Sequence, residues 1–206
     1  MKDTLPPGAA CLRISRAESG EEVAHARELF LEYAKGLGVD LCFQSFDQEL
    51  AGLPGDYAPP SGRLFLAYAV KHAQAGGIGA GEANNATVKD SGPTKAIAAF
   101  EERGEAPVMP GAQLAGCGAL RRIDSATCEM KRLYVRAGFR GKGVGRALAV
   151  ALINAAREIG YSRMVLDTLP SMTEAQKLYR CLGFREIPPY RHNPVPGALF
   201  LELLLF

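Results

Sequence analysis

The feature that most constrains this chain is a glycine-rich turn between an apolar stretch and an amphipathic one. Three glycines alternate with other residues in the segment Arg140-Gly141-Lys142-Gly143-Val144-Gly145-Arg146. Glycines leave backbone N–H groups unshielded, and the helix expected to follow points the positive end of its dipole at the same place. Arg140, Lys142 and Arg146 add cationic donors for charge-assisted hydrogen bonds. The turn therefore predicts a site for a phosphorylated cofactor.

Two common phosphate-binding loops do not match this spacing. A P-loop requires a Ser or Thr directly after its lysine, whereas Lys142 is followed by Gly143. A dinucleotide fingerprint that starts at Gly143 would need a third glycine where Leu148 stands. The cofactor is therefore expected to be neither a nucleoside triphosphate in a Walker loop nor a classical dinucleotide.

The spacing instead matches R-x-x-G-x-G at residues 140–145, and a second motif lies downstream. That second motif consists of a serine-bearing turn, a helix, a Leu-Tyr pair and a Gly-Phe pair, at Ser171, Leu178, Tyr179, Gly183 and Phe184. Together the two motifs resemble those of the GNAT acetyltransferase superfamily, over about residues 12–206.

The resemblance implies a single α/β domain, an acyl-CoA N-acyltransferase fold whose mixed sheet splays near Leu133 to admit acetyl-CoA. In that family, strand amides hold the pantetheine arm and polarise the thioester carbonyl, and the matching positions are Leu133 and Val135. The cofactor-binding residues implied by the resemblance are Leu133, Tyr134, Val135, Arg140, Gly141, Lys142, Gly143, Val144, Gly145 and Arg146.

Two residues are candidates for catalysis by the same resemblance. Tyr179 matches the tyrosine that protonates the leaving thiolate in many family members, with packing as the alternative. Glu129 lies where some members place a general base of raised pKa, and strict strand alternation puts it on the face of Leu133 and Val135. An ordinary ion pair with a neighbouring lysine or arginine is equally well supported for Glu129, and a strand bulge would change its face.

Composition narrows the class of protein. The chain has 206 residues, 48% of them hydrophobic, which suits one domain with a substantial core. A net charge of +2 does not favour nucleic acid, and no apolar run approaches the ~18 residues of a membrane span. Five cysteines without a C-x-x-C pair favour free thiols. We therefore expect a soluble cytoplasmic protein, and three histidines without ligand spacing predict no metal site.

Periodicity and turn residues predict the order of the elements. Residues 1–11 are expected to form a disordered lead, and residues 71–112 a low-complexity insertion that is a surface loop or, as an alternative, a binding segment. Capping boxes at Ser19 and Ser171 predict two helix starts, and Gly160 and Gly183 two helix ends. Strands are predicted at residues 12–16, 63–70, 113–120, 127–135, 164–168, 184–187 and 198–206, with a short helix at residues 45–50.

Several residues are candidates for the acceptor side of the site. Phe43, Phe46 and Tyr57 could line it, although core packing is the favoured interpretation for each. Asp167 and Thr168 end a predicted strand, where open α/β sheets bind ligands, with turn or cap contacts as the alternative. The segment 188–197 could add contacts from its aromatic and polar side chains.

The function predicted from these features is N-acetylation by direct transfer from acetyl-CoA to an amine in a ternary complex. A small amine-bearing molecule is the expected acceptor, a protein amine stays open, and so does a homodimer. The alternative from a different class is a module that binds acetyl-CoA as a sensor or partner subunit without turnover.

Overall fold

A computed structural model of the protein describes residues 10–38, 45–71 and 111–206. Seven strands form one sheet in the order β1-β2-β3-β4-β5-β7-β6. The strands are β1 (Ala10–Arg16), β2 (Arg63–Lys71), β3 (Gln113–Arg122), β4 (Thr127–Val135), β5 (Arg163–Thr168), β6 (Arg185–Ile187) and β7 (Leu199–Leu204). The helices are α1 (Gly20–Leu37), α2 (Phe46–Ala51), α3 (Val144–Ile159) and α4 (Thr173–Cys181). The predicted order and type of the elements are confirmed.

The start of α1 is set by a capping box, as predicted. The amide of Glu22 donates to the Ser19 hydroxyl at 3.2 Å, and the amide of Ser19 donates to a Glu22 carboxylate oxygen at 3.1 Å. The second predicted capping box is wrong. A turn in which the amide of Met172 donates to the carbonyl of Leu169 delays the start of α4 to Thr173, so Ser171 lies outside the capping position.

The end of α4 follows the predicted glycine cap. Gly183 has a φ of 93°, in the left-handed region. The amide of Phe184 donates to the carbonyl of Tyr179, and the amide of Gly183 donates to that of Arg180, both at 3.0 Å. These two bonds form a Schellman motif, which fixes the chain direction out of α4 and places the Phe184 ring against the Tyr179 ring.

The sheet opens between β4 and β5, its parallel pair. The ladder between these strands joins residues 127–129 to residues 163–165 and ends at Glu129 and Val165. From there β4 continues against β3, whereas β5 continues against β7. The two strands therefore diverge towards their carboxyl ends, which is the splay that the resemblance predicted near Leu133.

A β-bulge in β4 reverses the predicted alternation of its side chains. Cys117 of β3 pairs with Tyr134, but Ala119 pairs with Lys131, so Arg132 and Leu133 together oppose a single residue. Arg132 takes a left-handed φ of 56° to make the bulge. The expectation that Glu129 shares a face with Leu133 is therefore wrong.

The two faces of the sheet carry separate apolar cores. Leu133 and Val135 join Cys128 and Met130 in the core beneath α3. Tyr134 packs into the core on the other face, beneath α1 and α2. Because the bulge lies between these two sets, Glu129 and Tyr134 share the α1 face, and Met130 and Leu133 share the α3 face.

The first strand begins slightly earlier than predicted. β1 begins at Ala10, so residues 10 and 11 pair with β2 and do not belong to a disordered lead. Residues 1–9 lie outside the described residues, and so does the insertion from 72 to 110. β2 and β3, which flank the insertion, are antiparallel neighbours, and Ala69 pairs with Gln113.

This pairing yields a prediction for the insertion. Replacing residues 72–110 with a short Gly/Asn turn should leave cooperative unfolding intact, because β2 and β3 already have hairpin geometry. A roughly tenfold shorter loop lowers the closure entropy cost by about 2 kcal/mol, so the free energy of unfolding should stay level or rise. Chemical denaturation of both proteins checks this, and a clear loss of stability in the shortened protein would mean that the insertion packs on the domain.

Candidate active site

A cleft that is partly open to solvent occupies the wedge where β4 and β5 diverge. It passes through the sheet, because it is lined by residues of both faces. Its walls are formed by Tyr33, Leu37, Met130, Lys131, Arg132, Leu133, Asp167, Thr168, Leu169, Met172, Tyr179, Asn193 and Val195.

The glycine turn lies beside this cleft. Gly143 immediately precedes α3 with a φ of 81°, and Gly141 has a φ of 71°. Among the described residues, no side chain caps the first turn of α3, and that turn contains no acidic residue. A Cβ added to Gly145 would touch Val135 and Leu178 at 3.6 and 3.7 Å, so the turn packs between the ends of β4 and α4.

Two cations of the turn are held in place by its own backbone. The Nε of Arg140 donates to the carbonyl of Val135 at 2.9 Å, and the Nζ of Lys142 donates to that of Gly138 at 2.8 Å. Positive φ angles, a helix N-terminus without a side-chain cap and flanking cations are together what a phosphate group requires. The turn therefore has the features of a phosphate-binding site, and it follows the end of β4 along the chain.

Tyr179 reaches the cleft from α4. Its side chain is 6% exposed, and its ring packs on that of Phe184 with centroids 5.7 Å apart. Burial raises its pKa, and nearby Tyr33 and Asp167 raise it further. The hydroxyl is therefore protonated throughout the physiological range, as a proton donor must be. Its role as general acid stays a prediction.

The end of β5 supplies two polar side chains to the cleft. Asp167 accepts hydrogen bonds from Arg191 at 2.6 Å and from Asn193 at 2.7 Å. The hydroxyl of Thr168 is buried and finds no hydrogen-bond partner within the described part of the chain. A buried polar group without a partner costs about 1–3 kcal/mol, which a bound polar ligand would recover. Both residues line the cleft, as predicted. Asp167 also holds the 188–197 segment, and these long-range bonds are not the turn or cap contacts of the alternative interpretation.

Glu129 does not line the cleft and instead forms the centre of a buried charge cluster. One carboxylate oxygen accepts from Arg121 at 2.7 Å, and the other accepts from the Tyr190 hydroxyl at 2.8 Å. Arg191 lies 3.3 Å and Lys131 3.9 Å from that second oxygen. The expected ion pair with Lys131 is confirmed.

Glu129 does not have the raised pKa that would suit a general base. Burial raises it, but Lys131, Arg191, Arg121 and the Tyr190 hydrogen bond together lower it below the ordinary value. A carboxylate that is held ionised by three cations is a weak proton acceptor. The geometry therefore does not favour Glu129 as the general base.

The bulge directs two consecutive cations, Lys131 and Arg132, to the acceptor side of the cleft. Arg132 binds Glu49 of α2 through two hydrogen bonds, at 2.8 and 2.5 Å, and its guanidinium lies 5.0 Å from the centre of the Phe46 ring. Lys131 is buried in the cleft wall, with a side chain 4% exposed. Burial lowers its pKa to about 7, although Glu129 acts in the opposite direction.

Two of the three aromatic candidates for the acceptor wall, Phe46 and Tyr57, do not line the cleft. Phe46 and Tyr57 are buried in the core beneath α1, as their alternative interpretation had it, and Phe43 lies outside the described residues. Tyr33 and Leu37 of α1 line the cleft instead. Asn193 and Val195 confirm that the 188–197 segment contributes to the wall.

Comparisons with known proteins identify the family of this chain. The model of the acetyltransferase (GNAT) family matches residues 82–184. An uncharacterised N-acetyltransferase of Schizosaccharomyces pombe is 31% identical over 193 residues, which cover 93% of this chain and 94% of that protein. The chain belongs to the GNAT acetyltransferase family. The N-acetylaspartate synthetase of Danio rerio is 37% identical over 101 residues, which cover 48% of this chain but only 36% of that enzyme.

Solved GNAT structures share the fold. A GNAT acetyltransferase from Staphylococcus aureus Mu50 superposes with a TM-score of 0.63 at 18% identity, covering 95% of this chain and all of that one. The acetyltransferase yncA from Salmonella typhimurium, solved with acetyl-CoA, superposes with a TM-score of 0.55 at 17% identity and covers 95% of each chain. Family membership supports N-acetyl transfer at the general level.

Two further properties of the described residues concern membrane-spanning helices and metal sites. None of the helices in the described ranges is both long enough and apolar enough to cross a membrane. The described residues also contain no group of three or more His, Cys, Asp or Glu side chains arranged to hold a metal ion.

Glu129 can be tested as a structural residue. Glu129→Gln should lower the free energy of unfolding near neutral pH by about 3–5 kcal/mol, because it leaves buried cations without their shared carboxylate. Since the pKa of Glu129 is lowered in the folded protein, its contribution is full above the unfolded value of about 4.3 and is lost as pH falls through the folded value. Urea denaturation from pH 3 to 8 should therefore show the difference between the two proteins shrinking on acidification. A normal stability with a large loss of kcat would instead indicate a general base.

The phosphate site can be tested with a matched pair of variants. Gly143→Asp and Gly143→Asn place side chains of equal shape at a φ of 81°, with similar strain of about 1–2 kcal/mol. Only aspartate adds a negative charge, and at an effective dielectric constant of 20 two like charges 4 Å apart repel by about 4 kcal/mol. Calorimetry should therefore give an acetyl-CoA Kd at least about tenfold weaker for the aspartate variant than for the asparagine variant. Equal affinities would contradict phosphate binding at this turn.

Proposed function

We propose that this protein transfers the acetyl group of acetyl-CoA directly to an amine acceptor, with both substrates bound at once. The observation that carries the proposal is that the free edge of β4, the strand that leads to the glycine turn, and the Tyr179 side chain meet at one cleft that passes through the sheet. A cofactor entering from the α3 face and an acceptor entering from the α1 face would meet there.

The cofactor would lie along the end of β4. The turn that contains Arg140, Gly143 and Gly145 would hold the pyrophosphate, and the pantetheine arm would follow the edge that β4 exposes once its ladder with β5 has ended. Backbone groups of Leu133 and Val135 lie on this edge and would fix the arm and polarise the thioester carbonyl. The Thr168 hydroxyl offers the bound substrate a further hydrogen bond from the opposite wall.

The reaction requires one nucleophilic attack and one proton donor. The neutral amine attacks the acetyl carbonyl carbon, a C–N bond forms, and the C–S bond breaks with its electron pair going to sulfur. Tyr179 donates its hydroxyl proton to that sulfur, and the proton lost by the amine restores the hydroxyl through solvent.

Direct transfer is preferred to an acetyl-enzyme intermediate. That intermediate would need a nucleophile at the cleft, and none of the four described cysteines lines it. Cys181 is exposed on α4, and burial raises the pKa of the Cys117 and Cys128 thiols, which disfavours their thiolates.

A small-molecule acceptor is preferred to a protein amine. The acceptor side of the cleft is lined by the buried side chains of Lys131 and Arg132, and one relative is named for N-acetylaspartate, a small acetylated amine. A sensor without turnover is the second candidate, and the position of Tyr179 at the cleft argues against it.

The proposed function can be tested by removing one oxygen atom, the hydroxyl oxygen of Tyr179. Tyr179→Phe keeps the ring that packs on Phe184 and removes only the hydroxyl, so turnover should fall by at least about 10²-fold while acetyl-CoA affinity changes little. Thiol release at saturating acetyl-CoA measures the rate, and calorimetry measures the affinity. Tyr161→Phe is the matched control, because that hydroxyl donates to the carbonyl of Ser61 away from the cleft. Retention of more than about half of the turnover in Tyr179→Phe would rule out the general-acid role, provided that chemistry limits the rate.

A further inference from the structure

The end of β5 carries a hydroxyl group whose surroundings point to one atom of the cofactor. Building on the proposed function, on which this inference rests, we propose that Thr168 is a further catalytic residue, whose hydroxyl donates a hydrogen bond to the carbonyl oxygen of the acetyl thioester. The backbone of β4 at Leu133 would hold the same oxygen from the opposite wall. Together the two donors would stabilise the negative charge that this oxygen takes up when the amine attacks the carbonyl carbon.

The first support is an unsatisfied buried group. The side chain of Thr168 is 3% exposed, and its hydroxyl oxygen has no hydrogen-bond partner among residues 10–38, 45–71 and 111–206. Thr168 also lines the cleft. A buried polar group without a partner is unfavourable in the free protein, and a ligand that supplies the partner removes this penalty. The hydroxyl therefore lies where a polar atom of a bound molecule is needed.

The local sequence explains why this hydroxyl is not used in the turn that follows β5. A threonine hydroxyl at a turn commonly accepts a hydrogen bond from the backbone amide two residues later, but that residue is Pro170, which has no N–H. The turn is held from α4 instead. The side-chain amide of Gln176 donates to the carbonyls of Leu169 and Pro170, at 2.9 and 3.2 Å. The Thr168 hydroxyl is therefore not required for the turn.

The second support is the face of the sheet on which Thr168 lies. The ladder between β5 and β7 continues without interruption to Thr168. Because side chains alternate along a strand, Thr168 shares a face with Met164 and Leu166, which lie in the core beneath α3. Tyr179 packs in that same core. Thr168 therefore lies on the face from which the proposed cofactor enters, whereas Asp167 lies on the opposite face.

The third support is the level of Thr168 in the wedge. The β4–β5 ladder ends at Glu129 and Val165, and Thr168 is three residues beyond Val165. Leu133 is four residues beyond Glu129, but it shares one position with Arg132 in the bulge, so it also stands three positions beyond the ladder. Leu133 and Thr168 therefore flank the cleft at the same level. This is the level at which the proposed function places the thioester.

The chemistry of the thioester distinguishes its two acceptor atoms. Sulfur is a weak hydrogen-bond acceptor, whereas a carbonyl oxygen is a strong one and becomes negatively charged during attack. The branched side chain of threonine has a stiff χ1 angle, so the hydroxyl is held in one direction at little further entropic cost. Thr168 therefore suits the carbonyl oxygen, and the sulfur is left to the proton of Tyr179.

Two variants test the hydroxyl in turnover. Thr168→Val keeps the branched shape and removes the hydroxyl, whereas Thr168→Ser keeps the hydroxyl. Thiol release is measured at saturating acetyl-CoA with the most active acceptor among glycine, aspartate, ethylamine and spermidine. The kcat should fall by about 10- to 100-fold in Thr168→Val and by less than about threefold in Thr168→Ser. More than half of the wild-type kcat in Thr168→Val, or an equal loss in both variants, would overturn the inference.

The ligand-free protein offers a test that needs no turnover. Since the hydroxyl is buried without a partner in the described part of the chain, Thr168→Val should raise the melting temperature. A lower melting temperature would mean that the hydroxyl is satisfied in the free protein and would overturn the inference. Thr127→Val is the control for activity, because it makes the same change at a buried threonine at the other end of the β4–β5 ladder. Its kcat should match that of the wild type.

A binding experiment separates this inference from the proposed function. CoA lacks the acetyl carbonyl, so calorimetry with acetyl-CoA and with CoA isolates the contact to that oxygen. Thr168→Val should lower the ratio of the CoA Kd to the acetyl-CoA Kd by about 3- to 10-fold and leave the CoA Kd unchanged. If this occurs while no acceptor releases thiol, the proposed function fails and the inference stands. An unchanged ratio, an equal loss of affinity for both ligands, or no binding of acetyl-CoA by the wild type would overturn it.

Discussion

The β-bulge at Arg132 and Leu133 is the constraint on which the rest of the site depends. Without it, the side chains of β4 would alternate regularly, and Lys131 would share a face with Leu133. With it, the α1 face receives Lys131 and Arg132 in succession, while Leu133 and Val135 stay in the core beneath α3. A left-handed φ at a non-glycine residue costs about 1–2 kcal/mol, and the paired hydrogen bonds from Arg132 to Glu49 offset that cost.

The bulge and the end of the β4–β5 ladder act together. A strand that loses its neighbour exposes backbone groups, which a globular protein normally pairs or covers. Here those groups face a cleft walled by α1, α4 and the 188–197 segment, so they are sheltered and can be satisfied by a substrate. Gly116 contributes from β3, because a Cβ at that position would lie 2.4 Å from the carbonyl oxygen of Tyr134 and would push the bulged strand away.

The sequence was sufficient for the elements and for the glycine turn between β4 and α3, and insufficient for the opposite wall of the cleft. The glycine turn, the parallel β4–α3–β5 unit and the Gly183 cap follow from local chemistry, which short segments encode. The bulge does not, because Arg132 adopts a rare conformation that depends on Glu49, 83 residues earlier. Two partners of Glu129, Tyr190 and Arg191, were missed because they reach it from a distant segment. The ion pair with Lys131 was predicted, since that residue is a close neighbour in the sequence. The contact between Arg121 and Glu129 could have been predicted from the sequence, because the two residues are cross-strand neighbours on a hairpin.

The buried charge cluster explains how polar side chains in the acceptor wall can be held in fixed positions. Glu129 holds Arg121, Tyr190 and Arg191, and Arg191 in turn holds Asp167 at the end of β5. This chain of contacts ties β3, β4, β5 and the 188–197 segment together across the point where the β4–β5 ladder has ended. The ion pairs therefore replace the missing backbone bonds as the connection between the two halves of the sheet. Because removing any one charge would strand another in the interior, the width of the cleft and the position of Lys131 in its wall are fixed by the same interactions.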